Sequence, residues 1–336
     1  MLQFFGFKKD SERKSKSLIA AKAAASRVAE KPQSNQNEIR FPTSVNIPLF
    51  IGSPNCYDIN IPQEQERLLQ IIARSKFSDL AATALEPSWL ALIPTDWVIP
   101  PLEPFFEYLP ISQKHIDMLR QLRWIIAIRC AEKFDSELRG YQLLNFLATE
   151  IALHHDAVCL DGSTGRVYTH ADRAFVLYSG SSNANVYTAS RTPSLRPFLS
   201  VTATRYGDRV WMTGHGLNRF MLPEFEIENV EPELVDPTVY LMNGLAQALI
   251  ERVIGARTQD QTCVSLDEPF IIGTDMIVAG NRGDLPFSAC IPTTESLRLK
   301  LVARDGGRRL SPDYDSPAAT NAELRRILQN LSLLKT

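Results

Sequence analysis

Long apolar runs are absent from the sequence, because no stretch reaches the ~18–20 consecutive apolar residues that a membrane-spanning helix requires. Cysteine is sparse, and no two cysteines stand in a CxxC pair. A disulfide framework and a cysteine zinc site are therefore not expected, whereas free and mostly buried thiols in a reducing compartment are. These absences predict a cytoplasmic protein. The scattered cysteines are Cys56, Cys130, Cys159, Cys263 and Cys290.

Net charge is small, at −2 over 336 residues, so the composition as a whole gives no reason to expect nucleic-acid binding. The 44% of apolar and 22% of charged residues are typical of a globular protein. The charge is uneven, however, because residues 1–31 carry eight basic and three acidic side chains. We therefore expect a basic N-terminal arm, followed by a polar linker and an acidic remainder.

Recognisable catalytic motifs are missing. The sequence contains no GxSxG elbow, no HExxH, no GxGxxG and no P-loop with its lysine. The glycines of Asp161-Gly-Ser-Thr-Gly165 indicate a hairpin turn and need no phosphate to explain them. Cys159 lies in an apolar stretch, where a free thiol is usually inert core. No cofactor is expected, and the balance favours a protein without enzymatic activity.

The stretch from Trp124 to Asp161 predicts a strand–helix–strand unit. Residues 124–130 form its first strand, and Asp135 or Ser136 is predicted to cap the following helix. Gly140 inside this helix indicates that a neighbour packs closely there. Helical spacing defines one apolar face, made of Tyr141, Leu144, Leu147, Ala148 and Ile151.

The order of the predicted elements indicates an α+β fold. We expect a two-layer sandwich of mostly antiparallel sheet with helices on one face, plus a small C-terminal β subdomain. The chain is predicted to divide into four regions. These are a basic, flexible or partly helical arm at 1–38, a helical, proline- and aromatic-rich region at 39–118, a central α+β domain at 119–256, and a C-terminal β subdomain with a closing helix at 257–336.

Local patterns predict further elements. Pro62 suits the first turn of a helix, and Gly255 is a typical stop signal for the helix before it. The prolines in RFPTSVNIPLFIG favour an edge strand or extended loop over a central strand. PFIIGTDMIVAG predicts a strand, and the chain from Asn321 onward predicts a final amphipathic helix.

Two segments resemble one known family. The run WMTGHGLNRFMLPEFEI, from Trp211 to Ile227, resembles a signature of uncharacterised bacterial domains of unknown function. Those domains carry W-x-T-x-G-[ML]-x-[KR]-F-G-x-P-[DE]-[LF]-E before an acidic link and a helix, with Gly where this chain has Met221. The turn around Asp161 and Thr164 is similar to theirs. The likeness covers about 120–255 and implies no activity, because that family has no established one.

The histidines provide the candidate metal site. His154 and His155 end the predicted helix, and His215 and Arg219 are expected to project beside them. Imidazole and carboxylate groups suit zinc, and three of them with a water make a hydrolytic centre. A helix end whose dipole favours protonated histidine explains the pair without a metal. The candidate ligands are His154, His155, Asp156, His170, Asp172 and His215.

We expect a non-enzymatic intracellular binding or assembly module that contacts another protein. The N-terminal arm and the long polar loop at 179–197 are the predicted contact elements. A metal-dependent hydrolase using the histidine cluster is the first alternative. The second is a peripheral membrane protein whose arm inserts phenylalanines beside basic groups. Nucleic acid is not an expected partner. The predicted contact residues are Phe4, Phe5, Phe7, Lys8, Lys9, Arg191 and Arg196.

Overall fold

The computed structural model describes most of the chain from residue 37 onward, and the elements below belong to the unit Gln36–Thr336. No helix in this described part is long and apolar enough to cross a membrane. The described ranges are 37–53, 55–95, 113–135, 137–161, 163–164, 166–169, 199–281, 297–313 and 316–330.

Helices and strands mix along the described chain, which confirms the predicted α+β class with mostly antiparallel sheets. The helices are α1 Ile61–Ala73, α2 Ala81–Ala84, α3 Gln113–Gln121, α4 Arg139–His154, α5 Val235–Arg257, α6 Thr274–Gly280 and α7 Pro317–Asn330. The strands are β1 Glu38–Arg40, β2 Val45–Gly52, β3 Leu90–Pro94, β4 Trp124–Glu132, β5 Val158–Asp161, β6 Arg166–Thr169, β7 Ser200–Tyr206, β8 Arg209–His215, β9 Glu224–Val230, β10 Cys263–Ser265, β11 Phe270–Ile272, β12 Leu297–Leu299, β13 Leu301–Arg304 and β14 Arg309–Pro312.

The first five-stranded sheet has the order β3-β4-β2-β5-β6, and all its neighbouring pairs are antiparallel. The predicted strand–helix–strand unit is confirmed as β4, α4 and β5. The predicted cap at Asp135 or Ser136 was wrong, because Leu138 holds the N-cap position of α4 and makes no side-chain cap hydrogen bond. Oδ1 of Asp135 does accept hydrogen bonds from the N–H groups of Glu137 and Arg139, at 3.1 and 3.0 Å, where the chain enters the helix. The close approach at Gly140 is also confirmed, because a Cβ there would lie 2.1 Å from the carbonyl oxygen of Ala131.

Strand β2 is central in this sheet, so the prediction of an edge strand or loop was wrong. It pairs with β4 from Val45 to Ile51 but with β5 only from Phe50 to Gly52. Arg129, which faces Pro48 in register, directs its N–H to the carbonyl of Trp89 at 2.8 Å, away from β2. The Pro48–Arg129 pair is thus a non-hydrogen-bonded one, and the proline nitrogen points away from β4. Pro48 costs no ladder bond there, which explains how a central strand tolerates it.

The second five-stranded sheet has the order β13-β14-β9-β8-β7, and only its β14–β9 pair is parallel. The C-terminal strands therefore lie in a sheet, and β14 connects them to β9. A two-residue turn joins β7 to β8, and Gly207 supplies the positive φ of 63° that the turn requires. Helix α5 packs across β7, β8 and β9 on one face of the sheet.

Two predicted elements near α5 were wrong. The helix does not stop at Gly255 but continues to Arg257, and a Cβ on Gly255 would meet nothing within 4 Å. The segment TDMIVAG forms helix α6 instead of a strand. Close packing on α5 accounts for this, because a Cβ on Gly280 would lie 2.3 Å from the carbonyl oxygen of Asn243. An apolar run of this length does not by itself distinguish a buried helix from a strand.

The main hydrophobic core is continuous between α4, α5, α7 and the inner faces of both large sheets. Phe220 is fully buried in it, with its ring centroid 6.1 Å from that of Phe134. A second, smaller cluster lies on the other face of the first sheet, where Ile116 and Leu119 of α3 cover Ile125 and Leu160.

Candidate functional site

The ends of two helices bring one carboxylate and two imidazoles together. Helix α1 begins after Asn60, whose side chain caps it by accepting a hydrogen bond from the N–H of Gln63 at 3.2 Å. This cap places Glu64 in the first turn. His154 is the last residue of α4, and His155 is its C-cap. The ligand atoms that Glu64, His154 and His155 offer all lie within 4.8 Å of one another.

Glu64 is buried beside positively charged partners. Arg67 donates from Nε and Nη2 to the two carboxylate oxygens at 2.8 and 2.6 Å. Burial raises the pKa of Glu64, but the hydrogen bonds and charge of Arg67, with the histidines, outweigh burial and hold this pKa below its usual range. The carboxylate is therefore ionised at neutral pH.

His155 presents a nitrogen to this carboxylate. Its Nε2 lies 3.3 Å from Oε1 of Glu64, yet within the described residues no hydrogen bond of good geometry reaches it. Burial lowers the pKa of His155 and outweighs the attraction of Glu64, so the ring is mainly neutral at pH 7. The exposed ring of His154 packs edge-on against it, with the two centroids 4.6 Å apart. A neutral imidazole beside an ionised carboxylate is a set of groups that can hold a cation.

The structure thus brings two of the predicted ligands together and adds Glu64, which sequence reasoning missed. Asp156 and His215 are not members of this group. Glu64 gave no signal of its own, because it looks like an ordinary first-turn acid of an amphipathic helix. The remaining candidates, His170 and Asp172, lie outside the described residues.

Arg219 has a structural role that the sequence did not predict. It donates from Nη2 to Oδ1 of Asp161, and both side chains are nearly inaccessible, with 1% and 2% exposed. Its Nε also donates to the carbonyl oxygen of Gly216 at 3.1 Å. Asp161 in turn accepts from the N–H of Ser163 at 3.0 Å, within the predicted turn. This buried ion pair links the hairpin of the first sheet to the short 3-10 helix after β8.

Glu224 binds the N-terminal end of the same 3-10 helix. Its two carboxylate oxygens accept hydrogen bonds from the N–H groups of Gly216, Leu217 and Asn218 at 2.9, 3.2 and 3.0 Å. Burial raises the pKa of this carboxyl, and the three N–H groups oppose that rise. The glycine–glutamate pattern in the Trp211–Ile227 run therefore builds a turn, and no reacting group is needed to account for it.

His215 lies in the second sheet, beside a small hollow against α5. Its Nε2 is 2.9 Å from Oγ1 of Thr202, and burial followed by the charge of Arg309 lowers its pKa. The hollow, which Met242 and Asn243 also line, has room for about one water molecule. It is too small for an organic substrate.

Strand β7 forms the outer edge of the second sheet, and most of its residues are exposed. Strand β7 pairs with β8, and no other described strand pairs with it. Tyr206 is 82% exposed, and Trp211 on β8 is 39% exposed. Thr204 faces Trp211 in register, so these side chains lie on the same face of the sheet. The alternating sequence predicts this hairpin but not that its edge is left open.

The predicted contact residues of the arm and of the 179–197 loop all lie outside the described residues. Comparisons of the chain with protein-family models, curated protein sequences and solved structures found no match.

Proposed function

We propose that the protein is a non-enzymatic binding module that takes up an extended segment of another protein along the free edge of β7. The observation that carries the proposal is the exposure of five consecutive strand residues, 202–206. Successive side chains of a strand point to opposite faces, so neither face is covered at this end of β7. Half of the backbone N–H and C=O groups of such an edge point outward and accept a further strand.

The chemistry of β7 supports an extended peptide as the occupant. The strand SVTATRY contains no proline, no glycine and no acid, and Arg205 is its single charge. Proline and charged residues usually prevent the addition of a further strand to a sheet edge, and β7 carries only one such residue. Arg205 donates to the carbonyl oxygen of Gly207 at 3.3 Å and has no ion pair among the described residues. We therefore expect a partner segment with alternating β-branched or apolar residues and one acid opposite Arg205.

Aromatic side chains supply the second half of the recognition surface. Tyr206 and Trp211 lie on the face that also carries Thr202 and Thr204. Arg309 holds the Trp211 ring in place, with its guanidinium 5.4 Å from the ring centroid and 2.8 Å from Oε2 of Glu226. Rigid, half-exposed aromatic rings are the groups that most often anchor a bound segment.

The test is a selection of random 12-residue peptides displayed on phage against the full chain. A selected peptide is then labelled, and its affinity is measured by fluorescence anisotropy. Ala203→Pro and Thr204→Pro form a matched pair, because N–H groups alternate along a strand and only one of the two residues points outward. The outward proline is expected to weaken binding at least about tenfold with little change in Tm. The inward proline is expected to lower Tm, because it removes a hydrogen bond to β8.

Hydrogen exchange identifies the surface directly. Peptide addition is expected to slow amide exchange within 200–206. Failure to enrich any peptide, or protection elsewhere in the chain, contradicts the proposal. Concentration-dependent dimerisation in sedimentation, with the same amides protected and no peptide bound, would instead make the edge a contact between two copies and overturn it.

We further propose that the module acts in the cytoplasm, which free Cys56, Cys130, Cys159 and Cys263 support. The contacts of the arm and of the 179–197 loop stay predictions, and so does the likeness to the bacterial domains. A metal-dependent hydrolase has less support, because His215 lies outside the histidine cluster. The membrane alternative depends on the arm, which lies outside the described residues.

A further inference from the structure

We propose that Glu64, His154 and His155 form a binding site for a divalent transition-metal ion such as Zn²⁺, separate from the β7 edge. The three ligand atoms come from the ends of two helices and all lie within 4.8 Å of one another. Among the described residues this is the one such group of three histidine, cysteine, aspartate or glutamate side chains. Its position is set by two helix boundaries, so it does not depend on a long loop.

The donor set fits this class of ion. Two imidazole nitrogens and one carboxylate oxygen, with a fourth position open to water, are a common zinc combination. Tetrahedral zinc with ligands at ~2.0–2.2 Å places its donor atoms roughly 3.4 Å apart. A small contraction of the cluster achieves this, and the exposed ring of His154 is free to rotate by that amount. Magnesium and calcium are poor candidates, because both prefer sites made of oxygen atoms.

His155 is prepared for a ligand in this position. Its Nε2 is buried and makes no hydrogen bond of good geometry within the described residues, although it lies 3.3 Å from Glu64. A buried nitrogen in that state is unfavourable unless it gains a well-aligned partner, either Glu64 through a hydrogen on Nε2 or a bound cation. A bound metal satisfies the nitrogen without requiring a charged imidazole.

Arg67 is the competitor for the site. It occupies both oxygens of Glu64 with a pair of hydrogen bonds, at 2.8 and 2.6 Å. Its side chain is 26% exposed, so the guanidinium is able to move outward to solvent when a metal takes the carboxylate. Arg67 is also the charge partner of the buried Glu64 carboxylate. Removing the Arg67 side chain is therefore expected to tighten metal binding, because it leaves the Glu64 carboxylate available to the ion. If Arg67 were instead needed to stabilise the site, its removal would weaken metal binding.

The experiment titrates the metal-free full chain with Co²⁺ and Zn²⁺. Co²⁺ is followed by the visible absorption of its four- or five-coordinate complex, and Zn²⁺ by calorimetry. One ion per chain is expected. His154→Ala is the principal variant, because this exposed side chain is removable without opening the core, and it is expected to weaken Zn²⁺ binding at least about tenfold. Arg67→Ala is expected to bind Zn²⁺ several times more tightly than the natural chain.

Glu66→Gln is the matched control, because Glu66 is an exposed acid of the same helix outside the cluster. It is expected to bind Zn²⁺ as the natural chain does. His155→Gln adds a second ligand variant, and circular dichroism of each variant establishes that it is folded. Binding that survives His154→Ala and His155→Gln, or that is lost equally in Glu66→Gln, overturns the site, as does the absence of one-to-one binding.

Discussion

The acidic residues of the two large sheets have partners that differ in exposure. In the first sheet Glu132 and Asp161 are almost completely buried, and each binds backbone N–H groups at a point where the chain turns. In the second sheet Glu226 and Glu231 pair with arginines whose side chains are partly exposed. A buried acid whose partner is also buried carries a large penalty for the loss of that partner. Where the arginine partner is partly exposed, its substitution costs less stability, and its side chain is available to contact other molecules.

The largest difference between the sheets is expected from removing one arginine in each. Arg219→Ala leaves Asp161 charged and buried, and should destabilise the protein by about 3–5 kcal/mol. Arg309→Ala removes a partner that is 33% exposed from Glu226, whose own side chain is 8% exposed, and should cost about 1–2 kcal/mol because solvent reaches this pair. Chemical denaturation measures both. Equal losses would remove the distinction between the two kinds of acid. An Arg219→Met, Asp161→Leu double variant should recover most of the loss.

The next effect is the pH dependence that Glu132 confers on the first sheet. Its two oxygens accept from the N–H groups of Phe134 and Tyr141 at 2.7 and 2.8 Å, yet burial raises its pKa to about 7. The unfolded chain has the lower pKa, so the native state binds this proton more tightly. The stabilisation is complete below about pH 4.5 and is lost as the pH rises through 7, by up to roughly 3 kcal/mol.

Glu132→Gln isolates this contribution. Burial raises the pKa of Glu224 as well, whereas that of Glu64 is lowered, so the total pH curve mixes several groups. The difference in unfolding free energy between the natural chain and the Gln variant should shrink steadily from pH 5 to pH 8. A difference that stays constant over this range would show that Glu132 has an ordinary pKa.

A pair of glycine substitutions gives a smaller effect of opposite sign in the two regions. Gly140→Ala places a methyl group 2.1 Å from a carbonyl oxygen of β4 and should cost about 1–3 kcal/mol or more. Gly255→Ala in α5 meets nothing within 4 Å and should stabilise the chain by up to about 1 kcal/mol. Thermal unfolding measures both. Destabilisation by the Gly255 change would mean that its surroundings are not open.

The smallest expected change in stability belongs to the edge of the second sheet. Tyr206→Ser should alter the unfolding free energy by less than about 0.5 kcal/mol, because the ring is 82% exposed. The same variant should weaken a selected β7-binding peptide severalfold. If Tyr206→Ser lowered the stability of the chain and left peptide binding unchanged, Tyr206 would be a residue that stabilises the fold and not one that contacts the peptide.

Local patterns were sufficient for much of the fold. The strand–helix–strand unit and the close approach at Gly140 follow from signals within a few residues of each element, whereas the predicted cap of α4 was wrong because the N-cap is Leu138. The errors at Pro48 and in α6 have another origin, since both depend on partners distant in sequence. Strand β2 tolerates Pro48 because Arg129, its neighbour on β4, directs its N–H away from β2. Residues 274–280 form helix α6 because they pack closely on α5.

The candidate site was less predictable for the same reason. The sequence marked His154 and His155, but only the folded chain brings Glu64 and Arg67 to them. Arg219 was noticed as a residue near the histidines, whereas the structure buries it against Asp161. Free edges are likewise invisible to periodicity, because an edge strand and a central strand of an antiparallel sheet share the same alternation.

The central position of β2 also has a consequence for how the chain is made. Residues 45–52 leave the ribosome before one of the strands they pair with, because β5 is synthesised only at 158–161. The first sheet therefore cannot close until about a third of the chain has followed β2, and its contacts are among the long-range kind that slow folding. During that interval β2 has an exposed apolar strand edge, which is the state that chaperones protect. A fragment that begins at residue 119 would lack β2, so β4 and β5 would have no strand between them.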